Sequence, residues 1–118
     1  MSVYDIAHQL AQAVSESEEY RLFVEAKEKI MADESNYKMI RDFQNKQWEI
    51  QQTQAYGGEV STEKLQELES LYSLLSLNLK ARDYLEAEFR VSRMINDVQT
   101  ILGEAIKDAV PIGFDELH

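Results

Sequence analysis

The chain has 118 residues, with 12 Lys and Arg against 22 Asp and Glu and a formal net charge of -10. Its length fits one domain, and the absence of cysteine excludes disulfides, thiol catalysis and thiolate-held metal or iron–sulfur centres. One proline and four glycines argue against a turn-rich β fold, and no apolar run approaches the roughly 18 residues of a membrane span. The start, Met1-Ser2-Val3-Tyr4-Asp5, lacks the basic and apolar features of a secretion signal, so a cytoplasmic protein with no membrane contact is expected.

The apolar spacing is helical nearly throughout. Val3, Ile6, Leu10 and Val14 form one stripe, which predicts a first helix over 3–14. Ser15 with Glu18 has capping-box spacing, and Glu16, Glu18 and Glu19 suit the positive end of a helix. A second helix is expected over 16–33, burying Leu22, Phe23, Ala26 and Ile30, with Tyr20 as a further candidate. After the polar break Asp33-Glu34-Ser35-Asn36, a third helix over 36–56 stops at Gly57-Gly58, the strongest turn signal in the chain. Ser61 or Thr62 is placed to cap a fourth helix with Leu65, Leu68, Leu71, Tyr72 and Leu75 as its core stripe. Asn78 suits a left-handed helix end, although the fourth and fifth helices can also be read as continuous. The fifth helix spans 80–109, before Pro111 and Gly113. The reading is an all-α domain over 1–110, about five helices in an elongated antiparallel bundle, with a mobile tail at 111–118.

Several helices are apolar on two sides. The fifth gathers Tyr84, Ala87, Val91, Met94, Ile95, Val98, Ile101, Leu102, Ala105 and Ile106 on one broad face, interrupted by Glu88, while Leu85 and Phe89 point away. On the third helix Tyr37 and Trp48 lie off the stripe of Met39, Ile40, Phe43 and Ile50; on the fourth, Leu74 and Leu77 lie off theirs. Burying one such side chain contributes roughly 1.5–3 kcal/mol. Tyr37, Trp48, Leu74, Leu77, Leu85 and Phe89 are therefore the expected seam with a second chain, with a wide internal core as the alternative. Gln47 and Gln54 fall on the third helix's stripe, where buried amides can fix register across a seam and exposed ones simply wet that end.

Sites for chemistry are sparse. Of the two histidines, His8 lies opposite the first stripe and His118 ends the chain; no Glu-x-x-His or His-Glu-x-x-His spacing occurs. Gly57-Gly58 lacks the Lys-Ser/Thr that a phosphate loop requires. No catalytic, cofactor-binding or metal residue is assigned. Glu88, an acid on a core stripe, needs a partner; Arg21, Lys46 or a second subunit are candidates. A carboxylate-metal bundle enzyme stays an alternative because acids are plentiful. So does RNA association through the third helix and Arg82, Arg90 and Arg93. Direct nucleic-acid binding is disfavoured because no segment is strongly basic and Arg82, Glu86 and Arg90 alternate in sign along one face.

The order of short motifs carries a resemblance. Val3-Tyr4-Asp5-Ile6-Ala7 precedes Ser17-Glu18-Glu19-Tyr20, then Ala32-Asp33-Glu34-Ser35, Phe43-Gln44 in a Gln-rich helix, Gly58-Glu59-Val60-Ser61, Tyr84-Leu85-Glu86-Ala87-Glu88 and Met94-Ile95. Over residues 3 to about 108 the chain resembles the YlbF/YmcA family of small bacterial helical proteins, particularly its YheA-like members. The resemblance implies an all-helical cytoplasmic protein that forms dimers or higher oligomers and has no enzymatic activity. It also implies a regulatory or adaptor role, since better-known relatives regulate competence, biofilm formation and sporulation in a complex that directs an RNA-cleaving enzyme. The implied partners are thus itself and another regulatory protein or a ribonuclease. Some relatives carry cysteines connected with iron–sulfur clusters; this chain has none, so no cofactor is carried over.

Overall fold

The computed structural model describes residues 1–109. The expected tail at 111–118, and the last residue of the expected domain, lie outside them. Five α-helices follow in order: α1 (Val3–Ser15), α2 (Glu18–Met31), α3 (Glu34–Ala55), α4 (Thr62–Ser76) and α5 (Leu79–Ala105), then a 3-10 turn at Lys107–Ala109. No strand occurs among the described residues.

Each helix start is set by a side chain that satisfies otherwise unpaired amides. Ser2 and Asp5 form a reciprocal capping box on α1. The cap of α2 is Ser17, not Ser15: its hydroxyl accepts from the Tyr20 amide at 3.2 Å and donates to the Val14 carbonyl at 2.6 Å. Ser17 thereby closes α1 and opens α2 at once, whereas Ser15 lies in the last turn of α1 and donates to the Gln12 carbonyl. Asp33 caps α3, and Ser61 caps α4 as expected. Asn78 does not end α4 in a left-handed turn. It is extended, and its side chain accepts from the Ala81 amide, so it begins α5 and separates it from α4.

The α3–α4 corner does use the left-handed region. The Gly57 amide donates to the Gln54 carbonyl and the Gly58 amide to the Thr53 carbonyl, the paired closure of a Schellman turn. That closure needs Gly57 at φ +78°, which costs a residue with a Cβ about 1–2 kcal/mol.

Two antiparallel pairs build the fold. α2 runs along the first half of α5, with Phe23 against Tyr84 at 5.8 Å between ring centroids. α3 runs along α4, with Phe43 near Tyr72 at 6.0 Å and the pairs Lys46–Glu67 at 2.6 Å and Lys64–Glu49 at 3.0 Å. The pairs meet at one small core of Ile30, Ile40, Phe43, Leu75 and Ala81. Beside it the side-chain amide of Asn78 donates to the side-chain oxygen of Asn36, and the Asn36 side-chain amide donates to the Asp33 carboxylate at 3.3 Å, so the caps of α3 and α5 share one polar chain.

The result is flat and open, 48 × 38 × 16 Å. Its radius of gyration is 18.4 Å, against about 13.5 Å for a compact domain of this length. Its accessible surface is 9502 Å², against about 6,600 Å² for a compact monomer of this mass. The stripe Val3, Ile6, Leu10 of the first helix is exposed, and α1 buries no residue. The same holds for Ile95, Ile101, Leu102 and Ile106 at the far end of α5. None of the described helices is long and apolar enough to cross a membrane.

Candidate interaction groove

α3 and α5 start side by side at Asn36 and Asn78 and run in the same direction. With α4 they enclose an open groove of about 750 Å³, within the usual range of ligand clefts. Buried Phe43 and half-buried Leu85 form its floor, and Tyr72 and Phe89 its apolar walls. Gln47, Gln51, Ser76 and Ser92 line it with uncharged polar groups, and Arg82, Glu86 and Glu88 set its charge. An apolar floor with a polar rim suits a helix or side chains from another polypeptide.

Glu88 fixes one edge. The Gln44 amide donates to both carboxylate oxygens, at 3.0 and 2.8 Å, so Glu88 finds its partner on α3 rather than in Arg21 or Lys46. Arg21 pairs instead with Glu18 and Glu25, and Lys46 with Glu67. The bond to Glu67 raises the Lys46 pKa, and the bond from Lys64 lowers that of Glu49. Tyr84, one turn before Glu88, has its phenol pushed up to about 12 by burial and by the negative charge of Glu88. The buried-amide role thus falls to Gln44; Gln47 and Gln54 are exposed.

The six expected seam residues do not share one depression. Phe89, 66% exposed, and Leu85 line the groove together, but Leu85 also packs on the core, so the two sit at different depths. Trp48 is 63% exposed and stands four residues beyond Gln44 on α3. Tyr37 borders a separate hollow with Tyr84 and Ile40 and lies under the Arg41 guanidinium at 5.8 Å. Leu74 lines a shallow dip between α3 and α4, and Leu77, 85% exposed, sits at the α4–α5 corner. Tyr72, missed because its spacing placed it in the α4 core, is a groove wall and 57% exposed.

Among the described residues no three His, Asp or Glu side chains converge as metal ligands, and Glu88 spends its oxygens on Gln44. Arg90 and Arg93 share their hollow with Glu19 and Asp97, and Lys80 and Arg90 share theirs with Glu25, Asp83 and Glu86. These alternating charges do not make a phosphate-tracking stripe.

The family model described as "Control of competence regulator ComK, YlbF/YmcA" matches residues 3–107. A UPF0342 protein of Desulfitobacterium hafniense (strain Y51) is 65% identical over 116 residues, covering 98% of this chain and 94% of that protein. Among solved structures, a protein of unknown function (DUF964) from Bacillus stearothermophilus has a TM-score of 0.76 at 24% identity, covering 90% of this chain and 93% of the other. A chain of the crystal structure of Bacillus subtilis RicA in complex with RicF has a TM-score of 0.57 at 22% identity, covering 92% of this chain and 96% of that one. At these identities the solved structures speak for the helical fold.

Proposed function

The chain belongs to the YlbF/YmcA family, and on that premise we propose that it is a non-enzymatic, homo-oligomeric adaptor of the bacterial cytoplasm that works by docking other proteins. The observation that carries this reading is the groove between α3, α4 and α5. It is apolar at its floor, its wall Phe89 stands in water, and Trp48 is bare nearby. Large aromatic side chains set around a cleft are the usual anchors of protein–protein contacts. The family's link to competence control and the solved partnership of RicA with RicF support a regulatory partner. The resemblance to regulators of biofilm formation and sporulation points that partner toward another regulator or a ribonuclease. Tyr37, Trp48, Leu74, Leu77, Leu85 and Phe89 remain the proposed contact residues, with Phe89 and Leu85 at the centre.

Affinity capture from the native bacterium, with mass spectrometry of what is retained, tests the proposal. A partner protein retained by the wild-type chain should be lost at least ~10-fold with Phe89→Asp or Trp48→Asp, while helicity is unchanged. Recovery of the chain alone, or equal capture by both variants, would refute the adaptor reading.

A further inference from the structure

We propose that two copies of this chain associate by exchanging α1, each α1 packing on the far half of the partner's α5. The inference rests on the self-associating part of the function above, and it places that contact away from the α3–α5 groove. Four observations lead to it.

The lengths match. α5 has 27 residues and α2 has 14, so α5 outruns its packing partner by 13 residues, the length of α1. Both segments span about 20 Å as helices.

The spacings match as well. Val3, Ile6, Leu10 and Val14 on α1 step by three, four and four residues, and Ile95, Val98 and Leu102 on α5, with Ile106 at its C-cap, take the same steps in sequence. Such ladders interlock when two helices pack side by side.

Charge is scarce on both. α1 carries Asp5 alone, and Ile95–Ala105 carries only Asp97 and Glu104, whereas half of the 14 residues of α2 are charged. Depletion of charge is the compositional mark of surface that is covered in the assembled state.

The fourth observation decides whose α5 is used. Ser17 bonds to the last turn of α1 and the first turn of α2 together, and the Glu16 amide donates to the Gln12 carbonyl. This bonded elbow fixes the angle at which α1 leaves α2; Val14 and Val98 are half-buried, but Val3, Ile6 and Leu10 on α1 and Ile95, Ile101 and Leu102 on its own α5 stay exposed. A second copy covers both at once through a two-fold contact made twice. The excess of roughly 2,900 Å² over a compact monomer is enough for a stable dimer face.

The test uses the full chain. Wild type should sediment as a dimer. Ile6→Asp should raise the dissociation constant by roughly 100-fold or more, since each dimer loses two apolar anchors. It should leave helicity per chain unchanged, because Ile6 is exposed within one copy. The chain lacks cysteine, so single substitutions give clean cross-links. A copy with Ile6→Cys and a separate copy with Leu102→Cys should join through a short bismaleimide. Cross-linking only within a doubly substituted chain would overturn the exchange in favour of intramolecular docking. A dimer indifferent to Ile6→Asp but broken by Phe89→Asp would overturn it while leaving self-association standing. A wild type that is monomeric at all concentrations would remove both this contact and the homo-oligomeric part of the proposed function.

Discussion

The junction where α2, α3, α4 and α5 meet and the two outer rods, α1 and the far end of α5, follow the same apolar periodicity and have opposite fates. At the junction, Ile30, Ile40 and Leu75 are buried and each polar neighbour is partnered. On the rods, Val3 is 80% exposed and Ile101 and Leu102 are bare. Three-four spacing makes a helix face apolar, but it does not say whether the cover comes from the same chain. The single-chain fold therefore rests on a small junction, and the rods are apolar surface that the chain itself leaves exposed.

The contrast is broken most severely at Leu75, fully buried at the centre of the junction. Leu75→Ala should lower unfolding free energy by roughly 2–5 kcal/mol in chemical denaturation, through lost burial and the cavity left behind. Asn78→Ala should cost about 2–3 kcal/mol, because it removes the α5 cap and strands the buried Asn36. A cost near that of an exposed cap alone, ~1 kcal/mol, would mean the shared polar chain contributes nothing.

A third effect is confined to alkaline solution. With its phenol raised to about 12 from the ordinary 10.0, Tyr84 resists ionisation in the folded chain. Its contribution is complete below pH 10 and is lost as pH rises through 12. Ultraviolet titration should show one tyrosine of the six ionising late, and Tyr84→Phe should remove that step. The smallest effect belongs to the rods. In dilute monomer, Ile101→Ser should change stability by no more than ~0.5 kcal/mol, measured by the same denaturation. A larger loss would place Ile101 in the single-chain fold and blur the contrast.

The five helices and the Gly57-Gly58 corner were readable in the residues because each depends on local chemistry: spacing, caps and one positive φ. The choice between Ser15 and Ser17 was not, since both are serines beside acids. What selects Ser17 is its ability to bond both helices at once. Asn78 misled for a similar reason: asparagine serves either end of a helix, and the restart at Leu79 decides. Leu85 and Phe89 looked like one outward pair because i, i+4 residues share a face. Leu85 lies at the groove floor against the core and Phe89 on the wall, and only tertiary packing sets those depths. Glu88 announced that it needed a partner, but Gln44 lies 44 positions away and no local rule names it.

The union of two helix origins at Asn36 and Asn78 has a mechanical consequence. α3 and α5 are tied at that joint and again a short way along by the Gln44–Glu88 contact, like two arms riveted twice near one end. The width of the groove between Gln51 and Ser92 is therefore set from one end, beside the buried Leu75.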